Sequence, residues 1–269
     1  MGKCICNDAF PATLRSPGRR ASHSTANNMT KEMFAGLEWT ATALAVGTLV
    51  WGAAAPRSQL FGPTIRRLNA RGGIALTFDD GPNPAITPHL LKLLDRYNAR
   101  ATFFLIGAHV RACPELAAEI ANRGHSVGNH TDSHPNLIWK TPTFIRRELL
   151  ACREAIASAT GNPPLWMRPP FGFRGPQLAA IVRESGHQAV VMWSRLAWDW
   201  KAQNKAPVIE RLRRVTNGDI VLLHDGDHLE LRGRRMHTVE ALQYWLPRWK
   251  DAGHSFVTMD RAAPGSMKP

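Results

Sequence analysis

From residue 74 onward, short apolar runs alternate with amphipathic stretches of helical spacing, and no other property of the chain narrows its fold so far. Runs at Ile74–Phe78, Ala101–Ile106, His125–Asn129, Leu165–Met167, Gln188–Trp193, Asp219–Leu223 and Ser255–Met259 read as strands. Helical patterns lie between them at Thr87–Tyr97, Val110–Asn122, Pro142–Ser158, Pro176–Glu184, Pro207–Val215 and Thr238–Asp251. The first of these carries Leu90, Leu91, Leu93 and Leu94 behind a Thr87-Pro88 cap and first turn. Strands joined by helical crossovers run parallel, which gives an α/β barrel or an open doubly wound sheet. In a barrel the chemistry gathers at the carboxyl ends of the strands.

The first run ends abruptly in Asp79, Asp80, Gly81 and Pro82. Its apolar residues suit a strand covered on both faces, and Gly81-Pro82 stops it. Two carboxylates a few ångströms apart repel, and one of them resists ionising unless a cation lies nearby. The same four residues also suit an Asp-Asp-Gly turn at the surface. The third run ends in His130, Thr131, Asp132, Ser133, His134 and Pro135, which places two imidazoles four residues apart. On a helix they would share a face, but Gly128 and Pro135 favour a loop or a single turn. Two His and one carboxylate commonly hold a divalent metal while leaving positions open for water and substrate. Asp80 is the natural third ligand. Alone, a His pair at this spacing is more often a pair of surface residues. Iron oxygenases use a similar set, but their chemistry needs neither the adjacent Asp79 nor the downstream His224.

The 269 residues suffice for one large α/β domain, and 44% hydrophobic content with nine Trp supplies its core. A net charge of +13 fits an anionic polymer such as a cell wall, an anionic membrane surface, or simply a solvated face. No basic stripe interleaved with aromatics stands out, so nucleic acid is not expected. Cys4 and Cys6 lie in a polar tail, while Cys113 and Cys152 lack the paired spacing of a Cys-based zinc site. A Cys113–Cys152 disulfide is compatible with the sequence.

Residues 1–36, rich in Ser, Asn, Arg and Pro, read as a disordered leader, and 37–56 as a hydrophobic anchor or signal segment. Within the latter, the 17 residues Trp39–Ala55 carry no charge. That is slightly short of the roughly 20 residues of a spanning helix, so the stretch suits an anchor or the apolar part of an export signal. Ala53-Ala54-Ala55 offers a small-residue cleavage site, but Pro56 argues against cutting. Lys and Arg on both flanks leave the orientation open. Translation from Met29 or Met33 would give a leader of ordinary length, which the intact mass of the natural protein tests. Residues 57–72 read as a linker, 73–262 as the folded domain and 263–269 as a tail. The expected location is anchored at a membrane through residues 39–55, or exported, and facing the cell envelope, with the cytoplasm as the alternative.

Thr77-Phe78-Asp79-Asp80-Gly81-Pro82, His130-Thr131-Asp132-Ser133-His134, Arg168-Pro169-Pro170-Phe171-Gly172, Asp199-Trp200 and Leu222-Leu223-His224 occur in the order found in the NodB-type polysaccharide deacetylases, carbohydrate esterase family four. The chain resembles that family from about Gly73 to Met259. The resemblance implies a distorted (β/α) barrel that binds one divalent metal, zinc ahead of cobalt or another transition metal. It further implies removal of N-acetyl groups from the amino sugars of a polysaccharide or oligosaccharide such as peptidoglycan or chitin. Position by position, Asp80, His130 and His134 would hold the metal, and Asp79 would be the general base. His224 would be the general acid, oriented by Asp199, while Arg168 would orient Asp79. The backbone N–H of Phe171 would meet the developing oxyanion, where the family often has Tyr. Trp200 and Leu222 would line the substrate groove, and Trp166, Trp193 or Trp198 could add flat faces for a sugar ring. His125 and His228 are expected to be structural.

One departure from the family pattern lies three positions before Asp199, where a second Asp is frequent and this chain has Leu196. The expected consequence is an altered wall of the site, with activity kept and preference changed. An O-acetyl esterase or small cyclic-amide hydrolase on the same fold, and a glycan-binding relic without turnover, are the alternatives. Retention of both the base and the acid weighs against the relic.

Overall fold

The computed structural model describes residues 22–68, 72–261 and 267–268. Contacts divide the chain into a unit up to Thr48 and a unit from Leu49 onward. Helix α1, Ser22–Ala54, begins in the first. Its 23-residue stretch Glu32–Ala54 is long and apolar enough to cross a membrane. The helix therefore starts well before residue 37, and residues 22–36, expected to be disordered, are helical. Met, Ala, Leu, Lys and Glu between positions 29 and 38 favour helix enough to carry it upstream of the apolar stretch. Residues 1–21 of the expected leader lie outside the described residues.

The second unit is built on short strands: β1 (Thr64–Ile65), β2 (Arg67–Leu68), β3 (Ala75–Gly81), β4 (Thr102–Leu105), β5 (Ser126–Asn129), β6 (Trp166–Met167), β7 (Ala189–Val191), β8 (Arg195–Leu196), β9 (Ile220–His224) and β10 (Met267–Lys268). Eight form one sheet in the order β1-β7-β6-β5-β4-β3-β9-β8, every neighbouring pair parallel. No ladder joins β1 to β8 among the described residues, so the barrel is distorted and open at that seam. The crossovers are α2 (Thr87–Arg96), α3 (Gly107–Ala112), α4 (Pro114–Asn122), α5 (Pro142–Thr160), α6 (Leu178–Glu184) and α7 (Lys205–Leu212), with α8 (Met236–Asp251) after β9.

The side chains of β3 divide as a pleat requires. Leu76 and Phe78 join the cluster that holds Leu90 and Leu94 of α2 and Leu242 and Leu246 of α8. Ala75 joins Phe104, Val191 and Ile220 in a second cluster, from alternate positions of neighbouring strands. Thr77 and Asp79 continue that second face, which leads towards the carboxyl ends.

Several boundaries differ from expectation for identifiable reasons. The single helix expected over Val110–Asn122 is two, broken at Cys113, whose φ of −140° is non-helical; Pro114 excludes the residue before it from the helix. Residues 57–72 are not a mere linker, since they supply β1 to the main sheet, and β2 of the same segment pairs antiparallel with Met267–Lys268 of the expected tail. Two-residue strands are too short to leave a periodicity in sequence. The expected last strand over Ser255–Met259 makes only an isolated parallel bridge, Ile74 to Phe256. Cys113 and Cys152 are both free thiols.

Candidate active site

Asp79 and Asp80 are adjacent, so an undistorted strand would send them to opposite faces. The register of β3 against β4 shifts between Asp79 and Gly81, and Asp80 takes a left-handed φ of 70°. This bulge turns both carboxylates into one cavity of about 450 Å³. Gly226 makes the bulge possible, because a Cβ there would lie 2.0 Å from the Asp80 carbonyl oxygen. Gly226→Ala is expected to lower stability by about 1–3 kcal/mol. Denaturant unfolding measures that loss, and weaker metal binding would accompany it as Asp80 is displaced.

The loop after β5 brings the two imidazoles to the same place. Thr131 and His134 also have left-handed φ, 67° and 56°. Glu148 of α5 pins the loop by accepting from the Asp132 and Ser133 N–H groups at 3.1 and 2.9 Å. The His130 Nδ1–H donates to the Arg168 carbonyl at 2.7 Å, which turns Nε2 towards the carboxylates. His130 Nε2 and His134 Nε2 lie 3.4 and 3.2 Å from Asp80 Oδ1. Donors held about 2.0–2.1 Å from a tetrahedral ion are roughly 3.3 Å apart, so both separations suit a shared divalent cation. One donor atom from each of the three residues falls within 4.8 Å of the others, and Asp80 Oδ1 is buried without a directed hydrogen bond. Burial opposes ionisation of Asp80, but His130, His134 and the charge of His224 outweigh it and hold the carboxyl well below the usual range. At His134 burial wins and the pKa is lowered; at His130 burial is overcome by Asp79 and Asp80 and the pKa is raised.

Asp79 is held apart from that triad. Arg168, at the end of β6, is fully buried and donates to Asp79 Oδ1 at 2.8 Å and to Thr77 Oγ1 at 2.7 Å. It also donates to the Val191 and Met192 carbonyls, both at 3.1 Å, and lies 4.2 Å from the Phe104 ring centre. A guanidinium fixed on four sides leaves Asp79 one orientation, with Oδ2 3.7 Å from His130 Nε2.

Across the cavity, buried Asp199 accepts from the His224 Nδ1–H at 2.8 Å through Oδ1. Its Oδ2 accepts from the His224 backbone N–H at 2.7 Å and from Thr238 Oγ1 at 2.9 Å. Burial alone would depress the His224 pKa; the Asp199 charge and hydrogen bond, then Asp80 and Asp79, push it up to about 9. Phe171, Trp200 and Leu222 line the cavity, as does Trp193. Phe171 has φ of 58° and packs edge-on against His134 at 4.7 Å.

Chains of known function are similar to this one in sequence and in fold. The polysaccharide deacetylase family model matches residues 68–190. A peptidoglycan-N-acetylglucosamine deacetylase of Bacillus cereus is 36% identical over 188 residues, 69% of this chain and 85% of that one. The chain belongs to the polysaccharide deacetylase family. Another relative, the peptidoglycan-N-acetylglucosamine deacetylase of Listeria monocytogenes, is 35% identical over 201 residues; they make up 74% of this chain but only 40% of that longer one. Among solved structures, a peptidoglycan N-acetylglucosamine deacetylase aligns with a TM-score of 0.67 at 31% identity, covering 73% of this chain and 91% of that one. A pseudoenzyme of carbohydrate esterase family four from Bacillus anthracis aligns with 0.66 at 26%, covering 74% and 68%. Membership of the deacetylase family fixes the fold, and the side chains at the strand ends must carry the argument for turnover.

The structure gathers Asp79, Asp80, His130, His134, Phe171, Trp200, Leu222 and His224 around the cavity, with Arg168 and Asp199 behind it. Leu196 is not among the cavity-lining residues; it lines separate grooves beside β8. Trp166 is a core residue, buried, with its indole N–H on Asp260. His125 is structural as expected, its Nδ1 accepting from the Ala101 N–H. His228, expected to be structural, lines the cavity and stacks on His134 with ring centres 4.4 Å apart. Asp227, Leu229 and Arg235 complete that wall, Asp227 and Arg235 paired at 2.7 Å. The available signal was proximity in sequence: this loop directly follows His224, but its folding back over His134 is a long-range contact.

Proposed function

We propose that the chain is a metal-dependent hydrolase that removes N-acetyl groups from amino-sugar glycans of the peptidoglycan or chitin type. The observation that carries this is the division of labour between two neighbouring carboxylates: Asp80 converges with two imidazoles, while Asp79 is kept off the triad by a buried arginine. Asp80, His130 and His134 would hold one divalent cation, zinc first by its preference for nitrogen and oxygen donors in this geometry. Such an ion supplies Lewis-acid polarisation and lowers the pKa of bound water to near neutrality. Asp79 then takes the proton from the attacking water, and Arg168 holds its oxygens in line. Phe171 lines the same cavity, and its N–H would meet the oxygen that gains charge. His224 gives its proton to the departing sugar amine, which leaves poorly as an anion, and Asp199 keeps that imidazole protonated and aimed.

Acetate release from N-acetylglucosamine oligomers and from peptidoglycan, with metal stripped and restored, tests this reading. Turnover should vanish on stripping and return with zinc or cobalt. Asp80→Ala should weaken metal affinity by more than about tenfold, as seen by titration against a chelating dye. Unchanged affinity would remove Asp80 from the ligand set. The relatives named for peptidoglycan, together with the apolar stretch Glu32–Ala54, support a location at the cell envelope by anchoring or export.

A further inference from the structure

Beside the catalytic cavity, cations outnumber carboxylates along a continuous path of grooves. A groove of about 420 Å³ at the open seam of the barrel is lined by Arg57, Arg66, Ser194 and Leu196, and shares Trp193 with the catalytic cavity. Ser194 and Leu196 also line a groove of about 590 Å³ against α7, whose walls carry Arg195, Glu210, Arg211, Arg213 and Arg214. Two of these arginines are neutralised, Arg195 by Asp219 and Arg213 by Glu210, each at 2.9 Å. Arg57, Arg66, Arg211 and Arg214 have no carboxylate partner among the described residues.

One of these free cations, Arg211, is also held in position against the Trp198 ring, and Lys201 sits beside the same ring. The Arg211 guanidinium lies 4.8 Å and the Lys201 ammonium 4.6 Å from the Trp198 ring centre. Trp198 in turn stacks on Trp200 at 5.6 Å with planes 17° apart, and Trp200 meets the His224 ring edge-on at 5.1 Å. A row of aromatic contacts thus ties Arg211 and Lys201 to the mouth of the cavity, which lowers the ordering cost of binding an anion there. Guanidinium groups in an open groove suit planar carboxylates and phosphates, which they grip through paired N–H donors.

We propose that these joined grooves bind the acidic groups of a glycan strand whose acetylated sugar occupies the catalytic cavity, Arg211 and Arg214 being the principal contacts. The ligand class is a sugar polymer with repeating carboxylates or phosphodiesters, in keeping with a net charge of +13. This deepens the deacetylase reading and rests on it for the identity of the bound strand.

The test pairs a binding arm with a turnover arm, using the full chain and an Arg211→Glu/Arg214→Glu variant. Fluorescent polygalacturonate and fluorescent poly(ribitol phosphate) serve as the carboxylate and phosphate probes, and vesicles with and without anionic lipid as the membrane control. The parent should bind at least one polymer at low salt, lose most of that affinity by about 0.5 M salt, and be weakened roughly tenfold or more in the variant. The polymer preferred identifies the anionic group. In turnover, kcat/KM on acidic peptidoglycan should fall by a similar factor, while kcat/KM on neutral N-acetylglucosamine oligomers stays within about twofold. Leu196→Asp, which adds a carboxylate to both grooves, should reproduce the selective loss. Equal polymer binding by parent and variant overturns the proposal. So does an equal loss on neutral and acidic substrates, and so does charge-dependent binding to vesicles with none to either polymer. Intact polymer binding with no acetate released from any glycan would leave the groove standing and overturn the deacetylase reading instead.

Discussion

Asp79→Asn is expected to cut kcat by about 10²–10⁴-fold while the protein still binds its metal. The amide keeps the size and one acceptor of the carboxylate but cannot take a proton from water. Metal binding should survive because Asp79 lies outside the triad, its nearest oxygen 3.7 Å from His130 Nε2. Stability should fall as well, since burial already pushes the pKa of Arg168 down and Asp79 is the charge that opposes this. Thr77, Val191 and Met192 remain as acceptors for the guanidinium. The cost should therefore stay below the about 3–5 kcal/mol of a buried pair stripped of one partner. Single-turnover acetate release, metal titration and thermal unfolding on one preparation separate the outcomes. Loss of turnover together with loss of metal would place Asp79 among the ligands and displace it as the base.

The carboxyl ends of the strands were legible in the sequence because each ends an apolar run with a residue type that costs energy to bury. Asp79, Asp80, His130, Arg168 and His224 all fall at such ends. What the sequence did not carry is the conformation that makes them converge. Left-handed φ at Asp80, Thr131, His134, Phe171 and Trp198 is maintained by surrounding structure against local preference, and five of the six non-glycine residues with positive φ belong to the site or its rim. Strands of two residues, such as β1 and β8, are defined by partners more than a hundred and about twenty-five residues away, respectively, and leave no local pattern. His228 was missed for the same reason: its neighbour in space, His134, is remote in sequence. The break at Cys113, by contrast, was available from Pro114 alone.

Asp199→Asn should move the alkaline limb of the kcat–pH profile down by one unit or more and reduce kcat at neutral pH by about 10²-fold. The sign follows from the role proposed for His224 as proton donor. Turnover requires the imidazolium, whose population falls as pH rises through its pKa. In the parent, burial works against the imidazolium, and Asp199 is the largest influence opposing it, bringing the pKa to about 9. The charges of Asp80 and Asp79 add to this, and a cation bound at Asp80 cancels that carboxylate's share, so the limb of the loaded enzyme should lie at or below 9. An amide at position 199 removes the charge and leaves burial dominant, so His224 becomes neutral near the operating pH. The Nδ1–H can still donate to the amide oxygen, whereas the second oxygen, which accepts from the His224 N–H and from Thr238, becomes an NH2 group facing two donors. The ring should therefore also lose alignment. A pH profile distinguishes lost protonation from lost alignment: protonation shifts the limb, and misalignment lowers the plateau without moving it. A lowered plateau with an unmoved limb would assign Asp199 to positioning alone, and a profile identical to the parent's would remove the pair from the reaction.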